Sequence, residues 1–511
     1  MQLFEKFYSK KYLLPLLGAV LALYVFGLWH RSPDPDDAWL GEYAYWLEKL
    51  GYVRSELFRG MNGQETRFIV HHKLVTLHGA AFIWLFGFSL YSLKAVSLVY
   101  FLLFIGLLYA YTCHWKKMFN LEDFLFSMII LFSFTFAFKF SFIFRPEMMV
   151  MCIGFAGFIL LEKYLDNEKH KWWWVFISGL LFGLAVFAHL NSLVFIASAG
   201  ILLLWNKKFA GLFIFGIGAL LTSALYFYDF TGLDSVDLWI YQFFSSPSID
   251  SLKDTPYYLK PIVNLLKEHM RYFHNLEIIV FSVFMFVTII TGFSFLYKNQ
   301  TNLVRFALLA ALFTGLLTMH KSRFYMLPFF PLILIMITLT IKAIKDKQVV
   351  TFPFLKNIKP FLFQRIFIFL FMVFIGVSAY YNVKLALQKF SPQDNRELAL
   401  KYAGEHVSEM NIIAPITFIF NEIENFQRIH GGLFYTEMAK TDMSFRGEGF
   451  FQKAAAYDID LIMVSTYSAY LLRIENSQIG EKHGEYEVVD KNPELIVFKR
   501  QTNIFSPETG N

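Results

Sequence analysis

Cysteine is nearly absent. Only Cys113 and Cys152 occur in 511 residues, both within or beside apolar stretches, which excludes a disulfide framework and a thiolate metal site. Concentrated positive charge is absent too: the net charge of +6 is spread over short loops, so a nucleic-acid partner is not expected. The C-terminal stretch holds no glycine-rich phosphate fingerprint, repeat or low-complexity tract. No small-residue cleavage site follows the first apolar run, Leu13 to Trp29. With Lys6, Lys10 and Lys11 ahead of it, that run reads as a retained signal anchor.

What the chain has in abundance is hydrophobic surface. Apolar residues make up 56% and aromatics 19%, and the mean hydropathy is +0.46, values that define a polytopic α-helical membrane protein. Runs of roughly 17 to 25 apolar residues suffice to cross a bilayer. About eleven can be cut: 12–29, 91–112, 123–143, 146–162, 172–188, 192–206, 209–228, 276–297, 303–319, 324–341 and 364–383. If these alternate, Lys116/Lys117, Lys163/Lys169/Lys171, Lys207/Lys208, Lys298/Arg305 and Lys342/Lys345/Lys347 share the N-terminal side, which is therefore expected to be cytoplasmic. The basic residues of the long first loop run against this rule and are outvoted by the five alternating loops.

This pattern divides the chain into a membrane domain, 1–385, with external loops 31–78 and 228–275, and an extracytoplasmic α/β domain, 386–511. In the latter, 393–409 reads as an amphipathic helix, and Asn411–Phe420, Ile459–Ser465 and Leu495–Lys499 read as strands.

The polar residues sort to the outer face: Asp36 and Asp37; Arg145-Pro146-Glu147; His189 and Asn191; and His320-Lys321-Ser322-Arg323. Charge at membrane depth is expensive unless it faces a cavity or a partner, so one-sided clustering suggests an external reaction centre. Each element also has a plain structural reading. The two aspartates suit the start of a helix through Trp39–Leu50, Arg145 and Glu147 an interfacial ion pair beside a helix-starting proline, His189 and Asn191 a helix end, and Lys321 and Arg323 snorkelling side chains. His71, His72 and Lys73 lack a further ligand at metal spacing, and no metal site is expected.

Taken together, these motifs resemble the GT-C membrane glycosyltransferases, in particular the bacterial family 39-like branch related to protein O-mannosyltransferases and lipid A aminoarabinose transferases. The likeness covers about residues 10–345. It rests on Asp36-Asp37 in the first external loop, Arg145-Pro146-Glu147 opening a span, His189-Leu190-Asn191 at the next outer turn, and the run from Lys321 through Tyr325 to Pro331. The family commonly shows Asp-Glu in place of Asp36-Asp37, and a proline pair where this chain reads His71-His72-Lys73-Leu74.

The resemblance implies a polyprenyl-phosphate sugar donor, attacked by a glycan, lipid or protein acceptor with inversion at the anomeric carbon, at a bacterial inner membrane. In that scheme Asp36 is the general base and Asp37 its orienting partner or alternative. Lys321, Arg323 and Arg145 hold the donor phosphate. Glu147, His71, His72, Lys73, His189, Asn191, His320 and Tyr325 complete the substrate site, and the basic side chains take the place of a metal cofactor. Two other classes share the composition: a transporter, which commonly shows paired repeats and broken helices, and a non-catalytic envelope polysaccharide assembly protein.

Overall fold

The computed structural model describes residues 6–166, 171–245, 255–318, 322–346, 360–404 and 407–501. Among these, seven helices are long and apolar enough to cross a membrane: Lys10–His30, Leu90–Trp115, Pro146–Asp166, Phe209–Phe227, Leu276–Asn299, Arg323–Lys345 and Gln364–Ala386. Four shorter apolar helices accompany them, Lys73–Phe86, Trp172–Ala188, Leu190–Trp205 and Thr301–Leu317.

Ten of the eleven expected spans fall on these helices, and 123–143 does not. Helix Leu121–Ser133 stops at Phe134, whose backbone is extended, before the short helix Thr135–Phe140. A non-helical turn buried among helices needs its carbonyls satisfied by protein. At the break buried Asn382 donates through Nδ2 to the Ser133 carbonyl at 2.9 Å, and at the far end of the short helix the buried cations Arg31 and Lys94 donate to the Lys139 and Phe142 carbonyls at 3.0 and 3.2 Å. Helix Lys73–Phe86 is an apolar helix that the eleven spans do not include.

The chain divides into two compact units. One comprises Met1–Arg31, Val70–His78 and Lys94–Lys389; the other, Ser32–Ile69, Gly79–Leu93 and Phe390–Asn511. This differs from the sequence division at 385/386, because most of the first external loop joins the C-terminal segment.

The first unit is helical and rich in phenylalanine, with Phe134 stacked at 4.1 Å on Phe281 and at 4.7 Å on Phe330. Helices Trp172–Ala188 and Phe209–Ser223 touch backbone to backbone. A Cβ on Gly179 would lie 2.3 Å from the Phe215 carbonyl oxygen, and one on Gly218 would lie 2.4 Å from that of Phe176.

The second unit is built on a six-stranded sheet. Its strands are β1 (Asn411–Ala414), β2 (Arg428–Gly431), β3 (Leu461–Ser465), β4 (Lys482–His483), β5 (Tyr486–Lys491) and β6 (Leu495–Arg500), ordered β2-β1-β3-β6-β5-β4. β1 runs parallel to β2 and β3, and the other pairings are antiparallel. The expected strand Asn411–Phe420 ends at Ala414 because Pro415 has no N–H to donate, and the expected helix spans Pro392–Ala403.

The loop after the first span is stapled to this sheet. Gly431 at the end of β2 donates to the Leu57 carbonyl at 3.0 Å. A Cβ there would sit 2.9 Å from that oxygen and 2.7 Å from Ile416, so only glycine fits.

Within the loop, helix Pro35–Leu50 starts as its sequence dictates. Asp34 caps it, Pro35 takes the first helical position, and the Asp37 carboxylate accepts the Asp34 backbone N–H at 2.8 Å to complete a capping box. Seven residues on, buried Glu42 accepts from Ser55 Oγ at 2.5 Å, Trp46 Nε1 at 3.1 Å, and the Glu56 and Leu57 amides at 2.7 and 3.2 Å. Glu42 thereby fixes the turn that reaches Gly431.

Candidate active site

In the first unit, several of the expected residues converge on the ends of apolar helices. Pro146 opens helix Pro146–Asp166, placing Glu147 in its first turn, where the helix dipole favours an acid. Arg145 lies just outside and grips Glu147 through both carboxylate oxygens: Nε to Oε1 and Oε2 at 3.2 and 3.0 Å, and Nη2 to Oε1 at 2.7 Å. Its guanidinium lies over Phe324, 5.0 Å from the ring centre.

Helix Trp172–Ala188 ends where His189 turns extended, and the His189 Nδ1 accepts the Asn191 backbone N–H at 3.0 Å. An accepting Nδ1 fixes the neutral tautomer with its proton on Nε2. The ring is stacked on His72 at 4.6 Å and meets Tyr325 edge-on at 5.4 Å. Glu147, His189, Asn191 and Tyr325, with Ser192, Thr314 and Thr318, line a cavity of about 20 Å³, room for roughly one water.

Arg271, not singled out in the sequence, belongs to this group. It is buried, paired with Glu268 at 2.5 Å, and bonded through Nη2 to Thr318 Oγ1 at 3.1 Å and through Nη1 to the Ser322 carbonyl at 3.3 Å. It also lies 5.8 Å from the centre of the Tyr325 ring. Arg271 thus braces the turn Arg323–Phe329 from behind. The signal in the sequence was slight: a Glu268/Arg271 spacing of three, ahead of a span.

His71 and Lys73 form a second polar group. The buried Lys73 ammonium pairs with Asp229 and sits 4.9 Å from the Tyr226 ring centre and 5.4 Å from that of Tyr228. His71 Nε2 lies 3.7 Å from the other Asp229 oxygen, and its Nδ1 is 3.1 Å from Thr76 Oγ1. Burial pushes the His71 imidazole down to about 4, keeping it neutral. Burial works against the Asp229 carboxylate, yet contact with His71 and the Lys73 ammonium hold its pKa below the usual range.

Arg323, half-buried, lies over Phe324 and Phe136 at 5.3 and 5.9 Å and makes no ion pair among the described residues. His320 and Lys321 lie outside the described residues. Asp36 and Asp37 belong to the second unit. There Asp37 is fully buried in its capping box, and the Asp36 side chain, half-buried, is not part of that box. Among the described residues no cluster of three or more His, Cys, Asp or Glu could hold a metal ion.

No protein-family model matches the sequence, and neither does any curated protein. Solved structures do match. ArnT from Cupriavidus metallidurans bound to undecaprenyl phosphate superimposes with a TM-score of 0.56 at 11% identity, over 97% of this chain and 99% of that one. The Archaeoglobus fulgidus oligosaccharyltransferase in its apo form matches with a TM-score of 0.52 at 11% identity, over 92% of this chain and 72% of its own. The archaeal oligosaccharyltransferase AglB from the same organism, in complex with an inhibitory peptide and a dolichol-phosphate, gives 0.52 at 10% identity, over 91% and 71%. At these identities the likeness defines the fold. The chain is a multi-pass membrane protein with the GT-C fold.

Proposed function

We propose that the protein is an inverting glycosyltransferase that moves a sugar from a polyprenyl-phosphate donor to an extracytoplasmic acceptor. The observation that carries this reading is the gathering of Arg145, Glu147, His189, Asn191, Tyr325 and Arg271 at helix ends, in a fold shared with a transferase solved bound to undecaprenyl phosphate.

The chemistry follows from charge. Loss of the donor sugar leaves a lipid phosphate with growing negative charge, and guanidinium and ammonium groups stabilise it best where water is excluded. Arg323 is the proposed direct phosphate ligand, with Lys321 beside it in sequence. Arg145, already held in a fixed plane by Glu147, supplies a second positive edge, and Arg271 positions the turn that carries Arg323. Lys73, paired with Asp229 among aromatic rings, is proposed to contact the donor's sugar or first prenyl unit. Asp36 is the proposed base that removes the acceptor proton.

The proposed setting is a bacterial inner membrane, with the N-terminus cytoplasmic and the second unit outside. Incubation of the purified protein with a panel of radiolabelled polyprenyl-phosphate sugars tests the reading. Release of label from lipid into an acceptor supports it, and stable lipid-linked label with every donor rejects it in favour of a transporter or a polysaccharide assembly protein.

A further inference from the structure

Within the second unit, a pocket of about 330 Å³ lies between helix Pro35–Leu50 and the residues around β2. Its volume is at the lower end of the range for small-ligand sites, and its walls mix aromatic rings and the side chains of Ile419, Ile423 and Ile429 with charged and amide groups. None of these residues belongs to the transfer machinery proposed above.

One side is pre-set. Trp46 is fixed through Nε1 by buried Glu42 at 3.1 Å, and the Arg54 guanidinium lies 4.8 Å from its ring centre. Tyr45 packs edge-on against Trp46 at 5.1 Å and donates to Glu424 at 3.2 Å. Lys49 closes the rim with Glu424, also at 3.2 Å.

The other side is less committed. Arg428 and Gln427 line the pocket, and among the described residues neither has a hydrogen bond from its side chain or an ion pair. Of the other two wall acids, Glu42 is held by Trp46, Ser55 and the Glu56 and Leu57 amides, and Glu56 is paired with Arg54 and Arg59.

The composition selects the ligand. An apolar guest leaves Gln427, Arg428 and the Lys49–Glu424 pair desolvated without reward. A bare phosphate meets Glu424 beside the cations. A polyol, which donates and accepts hydrogen bonds around an apolar ring face, matches the amide, guanidinium, carboxylate and indole together. We propose that this pocket is a saccharide subsite holding one sugar residue of the acceptor. The word acceptor rests on the transferase reading, whereas saccharide binding does not.

The test is a binding titration on the full chain in nanodiscs, using methyl glycosides of a neutral hexose, a pentose, an N-acetylhexosamine and a hexuronic acid, with undecaprenyl phosphate titrated in parallel. At least one glycoside is expected to bind, with affinity reduced about tenfold or more, the loss of one good polar contact, in Gln427→Ala and in Arg428→Ala. Undecaprenyl phosphate binding is expected to be unchanged in both. Gln427 is exposed, so its removal leaves the fold intact. No binding by any glycoside, or binding that survives both substitutions, overturns the proposal. Saccharide binding without any transfer from lipid-linked donors leaves the subsite standing and removes only the transferase reading.

Discussion

Glu147 in the helical unit and Asp37 in the sheet-bearing unit are 2% and 0% exposed, and each sits in the first turn of a helix opened by proline. The contacts described for them differ in kind. Glu147 is met by the Arg145 guanidinium, a charge for a charge in a region built from apolar helices. Asp37 is met by a backbone amide at its own helix start. In the helical unit, then, a buried carboxylate fixes the orientation of a cation. In the second unit, it fixes the orientation of a backbone at the start of helix Pro35–Leu50. The contrast assigns different consequences to removing each acid.

The largest effect is expected at Asp36. Asp36→Asn should lower turnover by at least ~10²-fold, the lower end for loss of a general base, with donor affinity and folding retained. Equal turnover in wild type, Asp36→Asn and Asp37→Asn would move the base elsewhere.

Glu147→Ala comes next, because it strands a partly buried guanidinium. A cost of about 3 kcal/mol is expected, the low end for breaking a buried pair since Arg145 keeps some water contact. Thermal unfolding in nanodiscs reads it, and Glu147→Ala combined with Arg145→Met should recover part of the loss. Arg323→Ala should raise the apparent KM for donor by roughly tenfold, the worth of one charged contact. Arg323→Lys should restore only part of this, because an ammonium cannot reproduce a bidentate fork. The smallest effect is expected at Asp37, where Asp37→Ala removes half of a capping box at about 1 kcal/mol, read as faster hydrogen exchange in the first turn of helix Pro35–Leu50. A larger stability loss at Asp37 than at Glu147 would reverse the comparison.

Legibility in the sequence followed the same division. Where the solvent is apolar, each polar residue stands out. Arg145, Glu147, His189 and Tyr325 each stand out in the sequence, and ten of the eleven apolar runs fall on helices, seven of them long enough to cross a membrane. The break at Phe134 was not visible, because Asn382, which meets the Ser133 carbonyl there, lies 249 residues away in the chain. Arg271 was hidden for a related reason: its partners Thr318 and Ser322 come from a later helix end. In the second unit, polar residues are everywhere and carry no contrast. β2 has four residues with no alternation, and the pocket beside Trp46 brings together residues nearly 400 positions apart, so neither could be read from local pattern. The attachment of the first external loop to the sheet through Gly431 and Leu57 was equally invisible, since one backbone hydrogen bond leaves no compositional trace.

Asp36 as general base implies a single displacement, which inverts the anomeric carbon, whereas a carboxylate nucleophile implies two displacements and retention. The most direct measurement is therefore the anomeric configuration of the transferred sugar, read by NMR on the product of one defined polyprenyl-phosphate donor. Inversion, with turnover at least ~10²-fold lower in Asp36→Asn, is the expected result; retention of configuration, or transfer at the wild-type rate by Asp36→Asn, would contradict the mechanism.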